Sequence, residues 1–215
     1  LATGSVDRAR AAIDAALEVL RAMPVTRPVR VIVEAGQVNL ALAAGGIDAA
    51  ARAVLERWAV ERAAAQELDE SSEQAAIIQA RVWLAGGEID QVQPLMLRVL
   101  RSARPARRMP NAASAYLLCA LAAAASGARE EAQAALSQAL LAAEPGSHVR
   151  LFVDEGPAVQ PLLAAFAAAA LTGPLRSYAR MLLAQFPGPE RGEAAGGLVE
   201  PLSAREREVL ELLAG

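Results

Sequence analysis

The apolar positions of this chain keep a helical rhythm, and the rhythm restarts at nearly constant intervals. A Gly is followed five positions later by a small or branched apolar residue and nine positions later by a large one. This occurs at Gly4/Ala9/Ile13, Gly46/Ala51/Leu55, Gly87/Val92/Met96 and Gly127/Ala132/Leu136. The four glycines stand 42, 41 and 40 residues apart. An apolar pair at i and i+4 marks one face of a helix, and Gly is the residue favoured where a helix ends in a left-handed reversal. The pattern predicts a lone opening helix at about 5–22, then three hairpins: 28–44 with 47–64, 70–85 with 88–103, and 110–126 with 128–143. Pro24, Pro28, Pro105, Pro110 and Pro145 fall between these segments, whereas Pro94 falls inside one and is expected to kink it.

One hairpin cannot bury both of its apolar faces, but stacked hairpins share a continuous core and leave a concave side. The expected fold is all-α: an α-α superhelix, a tetratricopeptide-like solenoid with a period of about 40 residues. Its helices are longer than those of the tetratricopeptide unit, which repeats at about 34 residues. Composition agrees, since the chain is rich in Ala and Leu while aromatic residues make up only 3%, which favours helix over strand.

After Pro145-Gly146 the period breaks. Residues His148-Val149-Arg150-Leu151-Phe152-Val153-Asp154-Glu155-Gly156 lead into a Leu/Ala-rich helix, a second helix is expected over about 175–186, and the two read as a capping pair. A Pro/Gly/charge-rich stretch reads as a linker. Beyond it, Ser203 and Glu206 form a capping box ahead of Val209, Leu210, Leu212 and Leu213. This last segment resembles the opening helix of the LuxR-type helix-turn-helix domain. The run Arg150–Gly156, followed by Tyr178-Ala179-Arg180-Met181-Leu182-Leu183, is similar to the region just before that domain in the large MalT-like regulators of the LuxR family.

The organisation expected is hairpin repeats over 1–145, capping helices over 146–186, a linker over 187–199, and a truncated helix-turn-helix start over 200–215. The chain opens on Leu1 and stops inside an unfinished pattern, so it reads as a piece of a longer protein. The resemblance implies a bacterial transcription regulator whose superhelix senses an inducer or a partner protein and controls an N-terminal ATPase and a C-terminal DNA-binding domain. ATP would belong to that ATPase, DNA only to the DNA-binding domain, and no cofactor to the present segment. The other reading left open is a stand-alone scaffold for protein–protein interaction.

Charge and candidate chemistry point the same way. Net charge is −3 and all 21 basic residues are Arg, which removes Schiff-base and P-loop Lys chemistry and argues against a broad phosphate-binding surface. His148 is the sole His, so a His-based metal site or hydrolase triad is not expected. Cys119 lies in an apolar run and is expected to pack in the core, and Trp58 and Trp83 likewise, ahead of a carbohydrate contact. Asp154 and Glu155 are expected to cap and to favour the following helix start. No enzyme is expected. Without a signal peptide or a bilayer-length apolar stretch, a cytoplasmic location is expected, with no membrane contact. The C-terminal apolar face also leaves room for self-association.

In such solenoids the first helix of each hairpin lines the concave side. The polar residues sharing a face there are Arg30, Glu34 and Gln37, then Gln74 and Arg81, then Asn111 and Ser114. These are the ligand-binding candidates, read against the plainer alternative of a solvated helix face.

Overall fold

The computed structural model describes residues 3–146, 148–169 and 173–186. Among the described residues there are α-helices and two short 3₁₀ turns, and no strand. Helix α1 (Thr3–Ala22) opens the stack. The hairpins follow as α2 (Arg27–Ala43) with α3 (Ala49–Ala64), α4 (Glu70–Gly86) with α5 (Ile89–Ala103), and α6 (Met109–Ala125) with α7 (Arg129–Ala143). After the 3₁₀ turn Glu144–Gly146 come α8 (Val149–Val153), a second 3₁₀ turn Gly156–Ala158, α9 (Val159–Ala169) and α10 (Pro174–Leu183). The expected linker and the expected helix-turn-helix start lie outside the described residues.

Local chemistry accounts for the ends of these helices. Asp48 and Asp69 act as N-caps, their carboxylates accepting from the backbone N–H of Ala51 and Ser72, each at 2.8 Å. The turn inside each hairpin closes with the same pair of bonds around a left-handed residue. At Gly87 (φ 78°) the N–H of Glu88 returns to the Trp83 carbonyl at 2.8 Å; at Gly127 (φ 81°) Ala128 returns to Ala123 at 2.9 Å. In the first hairpin the left-handed residue is Gly45 (φ 95°), not the expected Gly46, whose N–H instead bonds back to Ala41. The apolar pair thus begins six positions after the left-handed residue rather than five, so the expected spacing holds for the apolar pair but not for the turn. Gly4 marks no reversal either, because it lies in the first turn of α1.

The proline expectations need similar adjustment. Pro28 and Pro110 sit in the first turns of α2 and α6, where a missing N–H leaves no intrahelical bond unmade. Pro94 lies inside α5, which continues through it as one helix, and it is exposed, so the carbonyl it leaves unmatched faces water.

The expected apolar pairs are buried in all three hairpins: Ala51 and Leu55, Val92 and Met96, Ala132 and Leu136. The core forms three clusters, and the first helices of the hairpins are shared between them. Helix α4 gives Ala75 and Ile78 to the cluster with α2 and α3, but Ala76, Ile77 and Ala80 to the cluster with α5. Helix α6 likewise gives Ala115 and Leu118 to α5, and Ala113 and Leu117 to α7 and the C-terminal helices. Small Ala residues on both flanks of these helices let neighbours approach from two sides, while Glu73, a buried polar side chain of α4, is paired across the helix layer. Packing runs from α2 to α4 to α6 along the layer of first helices, while α1 rests on α2. This is the translational stacking of a solenoid. Helices α9 and α10 pair with each other and close the end against α7. No helix among the described residues is long and apolar enough to cross a membrane.

Candidate concave groove

The first helices of the three hairpins form one wall of a groove of about 610 Å³. Asn39 and Leu42 from α2, Arg81 and Leu84 from α4, and Leu121 from α6 line it, and Glu155 closes it from the segment after α8. The size suits a small ligand, and an apolar lining with a few polar groups is the usual composition of such a site. A second groove of about 800 Å³ adjoins it, shares Leu42 and Ala85, and is bordered by Trp83, Arg52, Glu56 and Gln79.

The polar end of the first groove is an ion pair. Arg81 donates from Nε at 2.8 Å and approaches with Nη2 at 2.6 Å, both to one oxygen of Glu155. The Glu155 side chain is only 8% exposed. It makes no cap hydrogen bond, so the expected capping role does not hold for Glu155; the carboxylate instead reaches back across 74 positions of sequence. Asp154 pairs with Arg150 one turn away, at 3.3 Å on the surface.

The seven polar candidates scatter. Glu34 is buried and accepts from the Trp58 indole N–H at 2.8 Å, with Arg57 at 2.5 Å. Arg30 pairs with Glu61 at 2.9 Å. Both residues thus face α3 and fasten the first hairpin. Asn111 donates to Glu73 at 2.8 Å. Gln37 and Gln74 are half-buried and line neither groove. Arg30 and Glu34 meet one turn apart at 3.9 Å, and Arg81 and Ser114 face each other across a smaller cavity of about 400 Å³ that also touches His148.

Of the aromatic candidates, Trp58 is fully buried, as core packing required, while Trp83 is half-buried and lines the second groove. Burial pushes the Cys119 thiol up to about 11, which keeps it protonated at neutral pH. Leu42, Leu84 and Leu121 escaped the sequence reading because it sought polar residues. The signal available was a Leu near the C-terminal end of each first helix.

A family model for the MalT-like TPR region matches residues 1–169. No curated protein and no solved structure matches the chain.

Proposed function

The chain belongs to the family of MalT-like TPR regions, and from that premise we propose that it is the sensing superhelix of a bacterial LuxR-type transcription regulator. An inducer or a partner segment seats in the concave groove, and occupancy is passed to ATPase and DNA-binding domains elsewhere in the parent protein. The observation that carries this reading is the groove itself, which spans all three hairpins and ends on the Arg81–Glu155 pair. A ligand there touches both the repeats and the segment leading to the C-terminal helices. In this reading the segment has no catalytic activity and no cofactor of its own, works in the cytoplasm, and reaches DNA only through the domain that Ser203 and Glu206 begin to form.

The test has two arms. The parent reading frame should encode a P-loop upstream and the remainder of a helix-turn-helix domain downstream; a frame lacking both would favour a stand-alone scaffold. A thermal-shift screen of sugars and small metabolites should then yield a ligand whose effect disappears in Ala85→Arg. Ala85 is exposed and borders both grooves, so the substitution fills them without removing core. Undiminished binding to Ala85→Arg would move the site elsewhere.

A further inference from the structure

The last turns of α5 and the turn that joins it to α6 carry Arg98, Arg101, Arg104, Arg107 and Arg108 within eleven residues of a chain whose net charge is negative. Beside it lies a cavity of about 690 Å³, on the edge of the stack formed by the turns between hairpins and separate from the concave groove. Arg98, Arg101 and Arg108 line it, together with Ser102, Gln66 and Glu67.

Two of these three guanidiniums are held in place. Arg108 donates from Nε at 2.8 Å and from Nη2 at 2.5 Å to Glu73, whose carboxylate is fully buried. Arg98 donates from Nη2 to the Arg62 carbonyl at 3.2 Å. Neither Arg98 nor Arg101 has a carboxylate partner among the described residues. The acids nearby are Glu67 on the rim and, acting on Arg108 from farther off, Glu70 and Asp69.

Arg62, whose carbonyl accepts the Arg98 hydrogen bond, adds to this charge. Arg62 is 5% exposed, and its buried Nη1 has no hydrogen-bond partner. Burial first, and then the neighbouring charge of Arg98, lower it to about 10, with Glu61 compensating only in part. Positive charge is therefore in excess here. The carbonyl end of α5 does not offset it, because the N–H of Arg104 occupies the Leu100 oxygen, the N–H of Arg108 the Ala103 oxygen, and the Arg108 side chain the Ser102 oxygen.

The structure assigns this cavity, we propose, as a binding site for a small, multiply charged phosphate ester, independent of whatever occupies the concave groove. Guanidiniums offer forked donors that match phosphate oxygens. The volume exceeds what a bare phosphate fills, and Leu68 and Pro105 give an apolar wall for the organic part of the ligand.

Isothermal titration calorimetry of the 215-residue chain with pyrophosphate, at constant ionic strength in sodium chloride, tests this. Saturable binding of one ligand per chain is expected. Arg98→Gln and Arg101→Gln should each weaken it about tenfold or more, as loss of a charge-assisted hydrogen bond implies. Arg129→Gln removes the same charge from the exposed start of α7 and should leave binding unchanged. Circular dichroism should show the same unfolding midpoint for Arg101→Gln and the parent, because Arg101 is exposed. Pyrophosphate binding no better than chloride, or equal binding by the Arg98→Gln/Arg101→Gln double variant, would overturn the proposal. So would a single-stranded oligonucleotide that binds the same arginines more tightly than pyrophosphate, since the phosphates would then belong to nucleic acid.

Discussion

Phe152 and Tyr178 meet edge to face, their ring centroids 6.1 Å apart and their planes at 90°. Phe152 stands in α8, within the run Arg150–Gly156, and Tyr178 opens the Tyr-Ala-Arg-Met-Leu-Leu stretch of α10, so the two motifs that carry the family resemblance pack on each other. Phe152 is fully buried and belongs to the cluster that includes Ala113 and Leu117 of α6. Phe152→Ala should therefore cost about 3–5 kcal/mol in urea unfolding. The Tyr178 hydroxyl is buried without a partner. Tyr178→Phe keeps the ring contact and removes an unsatisfied donor, so it should be neutral or stabilise by up to about 1 kcal/mol. A large loss in Tyr178→Phe would contradict this account of the hydroxyl.

The Arg81–Glu155 pair can be weighed by a double-mutant cycle. Exposed pairs couple weakly, but Glu155 is mostly buried and accepts from two nitrogens of one guanidinium. Arg81→Gln and Glu155→Gln should each destabilise the C-terminal helices, with a coupling energy of about 1–3 kcal/mol. A coupling near zero would mean that the two side chains are held by their own helices rather than by each other.

Acid should loosen the stack at one edge. Burial pushes the Glu73 carboxyl up, yet hydrogen bonds from Arg108, Asn111 and Ser102 outweigh it and hold the group below the usual carboxylate range. Asp69 behaves alike: burial raises it, and the Ser72 and Arg27 bonds lower it further. A carboxylate depressed in the folded state stabilises above its unfolded value, near about 4, and that contribution is lost as pH falls through the lower folded value. The unfolding midpoint should thus drop as pH falls below about 4.5. Glu73→Gln should be less stable at pH 7 by about 1–3 kcal/mol and show a shallower acid decline. Parallel acid profiles would exclude Glu73 as a contributor.

Two backbone positions give opposite tests of glycine. Arg107 adopts φ 56° at the α5–α6 turn, closing the same pair of bonds that Gly87 and Gly127 close elsewhere, with Arg108 returning to Ala103 at 2.9 Å. A left-handed conformation costs a non-glycine residue about 1 kcal/mol, so Arg107→Gly should raise stability by somewhat less than that, the unfolded chain gaining freedom in return. Gly36 is the reverse case, inside α2 with ordinary helical geometry. An added Cβ would meet Ile13 Cδ1 of α1 at 3.5 Å, an ordinary contact. Gly36→Ala should stabilise by about 0.5–1 kcal/mol. Thermal unfolding of both variants checks the pair.

The repeat was legible because hairpins of this kind place a turn residue and an i, i+4 apolar pair at fixed distances, and Ala51/Leu55, Val92/Met96 and Ala132/Leu136 are indeed buried. The helix limits followed within a few residues for the same reason. What failed was local or long-range. Gly45 replaced Gly46 because a reversal can move by one residue without shifting the face it serves. The concave polar set dispersed because Arg30, Glu34 and Asn111 find partners on neighbouring helices, and helical periodicity says nothing about where a long side chain reaches. The Arg81–Glu155 contact spans 74 positions, and no local pattern encodes it. The Arg-rich end of α5 is hidden by the negative total charge, which averages over the asymmetry that matters.

Because α4 and α6 each present apolar flanks to two hairpins at once, no hairpin in the middle of the array is an independent object. Melting one strips the shelter from both neighbours, so disorder should advance inward from the ends, beginning at α1, which packs chiefly on α2. A perturbation at the inner layer would consequently load helices it does not touch, much as a keystone loads distant stones.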